Sequence, residues 1–247
     1  MKITGVKTRV VKEKDDIVPI LIESLKEQKI ALKEKDIVVI ASKIIALSQG
    51  KVAEIKGADY KKGDLKDLIQ KEGKALFPTN FCWLTFKDGH LIPNAGIDQS
   101  NVPKGKVVLW PRDPYKEAKV IQNKLRKHFK LKKLGVIVAD STCAPLRPGV
   151  HGISIGHYGF KGIDDCRNKK DIYGNKMRVT RRAMADSLAT AALILMGETS
   201  EKKPLALIED APVDFINKSE RKPYIRLKSD LFYGMYSDEF IEFASKK

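Results

Sequence analysis

Apolar and polar positions divide the 247 residues into short strands and amphipathic helices. Residues 3 to 12 alternate enough to predict an opening strand. Asp15 and Asp16 then precede a segment from Ile17 to Gln28, in which Ile17, Ile20, Leu21 and Leu25 fall on one helical face. Asp36 to Ala41 is an apolar run that predicts a buried strand, followed by the turn-like pair Ser42-Lys43. Tyr60 to Glu72 reads as a polar helix. Phe81 to Phe86 reads as a strand that Asp88-Gly89 turns back into Leu91-Ile92. Val107 to Trp110 predicts another strand, closed by Pro111, and Tyr115 to Phe129 a helix. Leu134 to Ala139 predicts a buried strand that delivers Asp140 to a loop. Residues 144 to 176 are rich in Gly and Pro and low in periodicity, and read as a long loop of the kind that carries function or is ordered by a ligand. Thr180 to Met196 predicts an Ala-rich helix capped by Gly197. Leu205 to Ile208 predicts a last core strand, ending at Glu209-Asp210.

Strands and helices mix without strict alternation, so a doubly wound sheet is not forced. There are no internal repeats and no low-complexity linker. The length allows one large domain or two small ones with a stable core. The longest apolar run, Leu188 to Met196 interrupted by Thr190, is too short for a membrane span of ~20 residues. Met1-Lys2-Ile3-Thr4-Gly5 lacks the apolar core of a signal peptide, so a cytoplasmic location is expected. Cys82, Cys143 and Cys166 are too few and too scattered for a disulfide framework, and reduced thiols agree with that location. Cys143, His151, His157 and Cys166 have no C-x-x-C pair to anchor a zinc site.

A net charge of +16, from 47 basic and 31 acidic residues, suits nucleic acid or a site that gathers anionic ligands. Lys61 to Lys74 interleaves acids and bases as a solvated face does. The densest basic run, 117 to 133, carries Lys119, Lys124, Arg126, Lys127, Lys130, Lys132 and Lys133 with hardly any aromatic residue between them. A base-stacking platform is therefore not indicated.

Two stretches carry candidate chemistry. In Gly135-Val136-Ile137-Val138-Ala139-Asp140-Ser141 an apolar strand stops at an acid and a hydroxyl. In Asn94-Ala95-Gly96-Ile97-Asp98-Gln99-Ser100-Asn101 an acid sits among turn formers. Acids at the edges of apolar elements can hold a hard divalent cation, although a single Asp after a strand also serves as a turn former or helix cap. Together these stretches resemble the CofE family, the gamma-glutamyl ligases that add glutamate to the precursor of the deazaflavin coenzyme F-420 and that include members proposed to act on folates. Further pieces carry the resemblance between Gly5 and about Asp210. They are Val39 to Ile45 with Gln49-Gly50-Lys51, Arg147-Pro148-Gly149, Asp171 to Gly174, Val179-Thr180, Ala185-Asp186 and Met196-Gly197-Glu198. Beyond Phe215 no motif is recognisable, and the tail from 216 to 247 has no assigned role.

The resemblance implies an α+β, CofE-like unit over 1 to 247 with two intimately joined lobes, acting as a homodimer. It implies an NTP-dependent ligase that uses GTP or ATP, with two Mg2+ or Mn2+ ions per site. The acceptor carboxylate takes the gamma-phosphoryl group, and the amine of L-glutamate then attacks the acyl phosphate. By resemblance, Asp98, Asp140 and Ser141 are metal ligands, with Glu209 able to complete the site. Gly5, Val6, Lys7 and Thr8 form a loop toward the nucleotide, Ser42 and Lys43 contact its phosphates or base, and Asn101 is a polar contact. Arg147, restrained between Pro145 and Pro148, is expected to clamp a phosphate or carboxylate at the reacting centre. Each has a plainer reading: Lys43 as a surface lysine, Ser42 as a helix cap, Asp171 as a turn residue, Asp186 as an i−4 partner of Arg182. No Walker motif is present, so a P-loop is not expected.

The chain also departs from the deazaflavin pattern. It has Ser141 for Thr, Leu47 for a lysine, Thr142 to Arg147 for an arginine-rich run, and Glu209-Asp210 for Arg-Gly. These departures lean the acceptor toward the folate-type branch, with pterin and deazaflavin carboxylates both open. Two other classes compete. One is a basic nucleic-acid-binding protein on a ligase-like fold, which Asp98 and Asp140 oppose because acids repel phosphate without a metal between. The other is a metal-dependent phosphohydrolase, which needs the acids but no glutamate site.

Overall fold

The apolar runs over 37–41, 135–139 and 205–208 meet in one sheet. The computed structural model describes residues 1–217 and 225–245. In chain order these form β1 (Lys2–Val6), α1 (Ile17–Glu27), β2 (Ile37–Ala41), α2 (Ser42–Ser48), β3 (Val52–Glu54), α3 (Asp64–Glu72), β4 (Lys74–Pro78), β5 (Trp83–Lys87) and β6 (His90–Pro93). Then follow β7 (Lys106–Val108), α4 (Pro114–Phe129), β8 (Gly135–Thr142), β9 (His151–Tyr158), β10 (Ile163–Asp165), β11 (Arg181–Ala183), α5 (Met184–Met196), β12 (Leu205–Glu209) and α6 (Asp238–Ser245). The architecture is α+β. The strand order of the main sheet is β1-β12-β2-β8-β9. The β2–β8 pair is parallel and the other pairs are antiparallel.

Alternation along the strands splits the core in two, because successive side chains point to opposite faces. Val38, Ile40, Val136, Val138, Leu205 and Leu207 pack with Leu21 and Leu25 of α1, Ile45 of α2 and Ile121 and Leu125 of α4. Ile37, Val39, Ile137, Ala139, Ala206 and Ile208 pack instead with Leu188, Ala189, Ala192 and Met196 of α5. Covered on both faces, these strands read as unbroken apolar runs, as the sequence predicts. A smaller cluster of Leu65, Ile69, Ile97, Val107 and Leu109 sits under α3 and the β3–β7 pair. Next to it β4, β5 and β6 form a three-stranded meander.

Several expected boundaries move. The opening strand ends at Val6, not at residue 12, because the chain beyond is held by Thr8 N–H donating to Lys202 O and by Arg9 pairing with Asp15. The helix expected from Tyr60 starts at Asp64, and the strand expected over 107 to 110 occupies Lys106–Val108. The helix expected from Thr180 starts at Met184, because Arg181–Ala183 pairs with Ile163–Asp165 instead.

The largest correction concerns the loop expected over 144 to 176. It contains β9, an eight-residue strand of the main sheet. Its Gly152 and Gly156 hide the strand pattern, and both are there for close approach. A Cβ on Gly152 would lie 2.6 Å from the backbone of Ala189 in α5, and one on Gly156 2.5 Å from the backbone of Pro114. Because β9 pairs with β8 through Thr142, Asp140 and Ser141 belong to a strand and not to a loop. Of the C-terminal tail, residues 218–224 and 246–247 lie outside the described residues. The described remainder ends in α6.

Candidate active site

The topology decides which candidates can meet. β1, β2 and β8 run in the same direction, so the residues that follow or end them emerge at one edge of the sheet. That edge places Thr8, Ser42, Lys43, Asp140 and Ser141 around one cleft of about 340 Å³, together with Asp98, Asn101 and Glu198. The carboxyl ends of strands in such sheets are where ligands bind. β12 runs the opposite way, so Glu209 lies at the far edge. A five-residue strand separates the two edges by ~15 Å.

Asp98 is held by a tight piece of backbone. Asn94, Ala95 and Gly96 have φ of 49°, 55° and 72°, three left-handed residues in a row. Asn94 Oδ1 accepts from Trp83 N–H at 2.9 Å, and Ala95 N–H donates to Thr85 Oγ1 at 2.8 Å. A Cβ on Gly96 would collide with the Trp110 ring, so glycine is required there. Asp98 then pairs with Val108 through both backbone bonds at 2.9 Å. Its Oδ2 lies 2.6 Å from Lys43 Nζ, and its Oδ1 accepts from Ser100 N–H at 2.7 Å. Lys43 also donates to Ser100 O and Oγ, each at 2.8 Å.

Asp140 sits deeper. Burial of its carboxyl is the largest influence and lifts its pKa to about 7. The Ser141 N–H (2.8 Å) and the Ser42 hydroxyl hold it down in part, and nearby Asp98 pushes it further up. A carboxylate desolvated in this way beside a second acid is strongly stabilised by a cation. Ser141 Oγ donates to Glu198 Oε1 at 2.9 Å, so Glu198 joins the set. Its place in Met196-Gly197-Glu198, directly after a helix cap, was the available signal for it. Asn101 Nδ2 donates to Thr199 O at 2.8 Å, tying the Asp98 loop to the turn after α5.

Not every candidate reaches the cleft. Gly5 and Val6 lie within β1; Val6 is core, and a Cβ on Gly5 would lie 2.5 Å from Leu195 O. Lys7 has its N–H and C=O bonded to the Gln28 side chain at 3.0 and 2.8 Å. Arg147 is exposed in the turn between β8 and β9, its N–H donating to Ala144 O at 3.3 Å. Glu209 pairs with Lys2 and Lys33, each at 3.2 Å, which hold it below the usual carboxylate range. Asp186 does not pair with Arg182: it accepts from Ser154 N–H at 3.0 Å, and Arg182 binds Asp164. Asp171 is the turn residue expected, accepting from Tyr173 and Asn175 N–H.

No three His, Cys, Asp or Glu side chains among the described residues form a ready-made metal cluster. The oxygen-only set of Asp98, Asp140, Ser141 and Glu198 still suits Mg2+ or Mn2+. Mg2+ typically takes one or two protein carboxylates and completes its shell with waters and substrate phosphates.

Comparison with known proteins places the whole chain. The family model described as F420-0:Gamma-glutamyl ligase matches residues 5–210. The coenzyme F420:L-glutamate ligase of Methanococcus maripaludis (strain C7) is 34% identical over 220 residues, covering 82% of this chain and 86% of that protein. The protein of the same name from Methanocaldococcus jannaschii is 32% identical over 215 residues, covering 81% and 86%. That from Archaeoglobus fulgidus is 28% identical over 239 residues, covering 87% and 92%. The chain is a ligase and belongs to the F420-0:gamma-glutamyl ligase family.

Proposed function

We propose that this chain joins the amine of L-glutamate to the carboxylate of a deazaflavin coenzyme F420 precursor, driven by a nucleoside triphosphate and Mg2+ or Mn2+. The observation that carries the reading is Asp140, a half-buried acid that lines the cleft with Asp98 and Lys43 and whose carboxyl is raised by desolvation. The names of the relatives support the deazaflavin acceptor; a folate-type acceptor is the alternative outcome of the test. When bound, the metal ions offset charge on the nucleotide phosphates. Asp98, Asp140 and Ser141 would hold them, with Glu198 at their side. Lys43, which lines the cleft beside Asp98, would present its ammonium to the transferring phosphoryl group. Ser42 and Asn101 orient the nucleotide, and the apolar side chains of Val10, Val11, Ile44 and Leu47 that line the cleft provide contact for its base.

The balance is closed. An acceptor carboxylate oxygen bonds to the gamma phosphorus while the nucleoside diphosphate leaves. The glutamate nitrogen then bonds to the acyl carbon, phosphate departs, and the ammonium gives up a proton. The +16 charge serves these anions by raising their local concentration. The assay that tests the reading supplies GTP or ATP, Mg2+ or Mn2+, glutamate and a panel of deazaflavin, pteroate and folate acceptors. Mass spectrometry of added glutamyl units is the readout. No addition to any acceptor would overturn it. A homodimer is part of the proposal, supported by the exposed apolar side chains Leu146, ahead of β9, and Ile172, Tyr173 and Val179, between β10 and β11. Light scattering that returned the 27.7 kDa of one chain would remove it.

A further inference from the structure

We propose that the C-terminal helix α6 is a positioning element for Asp98, acting through β5 on the left-handed turn that carries the acid. This rests on the ligase reading of the cleft. Three consecutive residues at positive φ, two of them not glycine, are a costly backbone. Such strain persists only where the surroundings over-determine it. Here the surroundings are β5 and the end of α3. Trp83 N–H and Thr85 Oγ1 hold Asn94 and Ala95, and Thr85 Oγ1 also donates to Ile92 O at 2.6 Å. A Cβ on Gly73, just past α3, would lie 2.9 Å from the Ala95 Cβ and 3.4 Å from Phe86 O. The turn is therefore boxed in by β5, and β5 must itself stay fixed.

Helix α6 fixes it from outside. Phe240 is only 4% exposed and meets the Phe86 ring edge-on at 5.3 Å, with Phe243 at 6.4 Å. Tyr236 packs against Phe240 at 5.0 Å. On the neighbouring strand β4, Lys74 Nζ binds Glu239 at 2.7 Å and lies 5.4 Å from the centre of the Phe243 ring. Offset and edge-on aromatic pairs of this kind add directional contact beyond burial. The sequence places Phe86 one residue after Thr85, so the strand that turns the Phe86 ring toward α6 presents the turn-holding hydroxyl on its opposite face. Asp98, four residues past Asn94, inherits the position of the turn.

Phe240→Ala in the full-length protein tests the idea, with Phe240→Leu as the partner that keeps most of the apolar bulk. Two quantities are read: hydrogen exchange at the amides of residues 94 to 98, and binding of Mn2+–GTP by calorimetry, with Mn2+–ATP as a second arm. Phe240→Ala is expected to speed exchange at Ala95 while the amides of β2 and β8 stay protected. If the turn then holds its shape about one tenth of the time, the apparent dissociation constant rises about tenfold. Phe240→Leu should restore most of both. Glu239→Ala gives the same reading at smaller scale if Phe240→Ala does not fold. Unchanged affinity and unchanged exchange at 94 to 98, with only a lower Tm, would overturn the proposal. Asp98→Asn in the same titration separates the two levels. If it binds Mn2+–nucleotide like the parent, the ligase reading of the cleft fails. If it loses binding while Phe240→Ala does not, the positioning role alone fails.

Discussion

The two edges of the central sheet both carry acids, and only one of them looks like a reaction site. At the edge where β12 ends, Glu209 bonds to Lys2 and Lys33 and is held below the usual carboxylate range. Asp36 sits close by, and burial pushes its carboxyl up, much as it does for Asp140. A raised carboxyl is therefore not by itself a mark of function. The difference lies in what each acid faces. Asp36 Oδ2 accepts the N–H of Lys33 at 2.7 Å inside its own turn. Asp140 borders an open cleft, with a second acid, a lysine and a hydroxyl that all face the same space. One edge neutralises its acids internally, and the other leaves room for a cation from outside.

The largest expected effect breaks that contrast from the reactive side. Asp98→Asn and Asp140→Asn should each abolish turnover and Mn2+–GTP binding with little loss of folding, since hard cations need anionic oxygens. Glu209→Gln should leave turnover within about twofold, because its edge lies ~15 Å away across the strands. Calorimetry and the mass-spectrometric assay check all three. A Glu209→Gln variant as inactive as Asp140→Asn would mean that the edges do not differ as described.

The same contrast predicts how stability follows pH in the metal-free protein. Below pH ~4 the Asp140 carboxyl is protonated whether the chain is folded or not. Between that value and about 7 the unfolded chain releases the proton while the folded one keeps it. Stability must then fall as pH rises through this window and level off above it, by a few kcal/mol at most. Glu209, shifted the other way, supports the fold above its ordinary pKa and loses that support as pH falls through its lowered value. Melting curves in EDTA from pH 4.5 to 8 should show the fall. Asp140→Asn should remove most of the slope and leave the smaller share of Asp36. A slope unchanged in Asp140→Asn would show that its carboxyl ionises freely when the protein is folded.

Lys43 comes next in size. It donates to Asp98 and to Ser100, and in the proposed reaction its charge would serve the phosphates. Replacing it by Met removes one charge-assisted contact, of ~1.5–3 kcal/mol, so nucleotide affinity should fall by tenfold or more. Titration with Mn2+–GTP at fixed salt measures it. An affinity equal to the parent would return Lys43 to a surface lysine that merely neutralises Asp98.

Much of this was legible in the sequence, for reasons that differ by residue. Strands β2, β8 and β12 read as continuous apolar runs because both of their faces are covered, and Asp140 stood out by ending such a run. Helices α1 and α4 read from their spacing. What stayed hidden was set by contacts between distant segments. β9 looked like loop because Gly152 and Gly156 yield to α5 and to the start of α4, and close approach leaves no apolar signature. Arg181–Ala183 looked helical because its pairing with β10 is a tertiary choice that outweighs local propensity. Glu209 read as a possible ligand because a linear pattern shows that β12 ends in an acid and not which way β12 runs. The partnership of Ser141 with Glu198 crosses 57 positions, and only the fold brings it together.

The smallest effect expected is at the neutralised edge. Lys2→Gln and Lys33→Gln each remove one exposed partner of Glu209, which keeps the other. Pairs between exposed long side chains and a carboxylate gain little, because water screens the attraction and ordering the lysine costs rotamer freedom. Each single change should therefore move Tm by less than about 3 °C, and raising the salt to ~1 M should shrink even that difference. Mn2+–GTP binding should not change in either variant. The double variant is the sharper probe: with both lysines neutral, Glu209 loses the two charged partners that lower its pKa and should titrate higher. A double variant that also lost nucleotide affinity would couple the two edges through β12. Unaltered affinity with a raised Glu209 pKa would establish that the acid serves the fold and stands apart from the cleft.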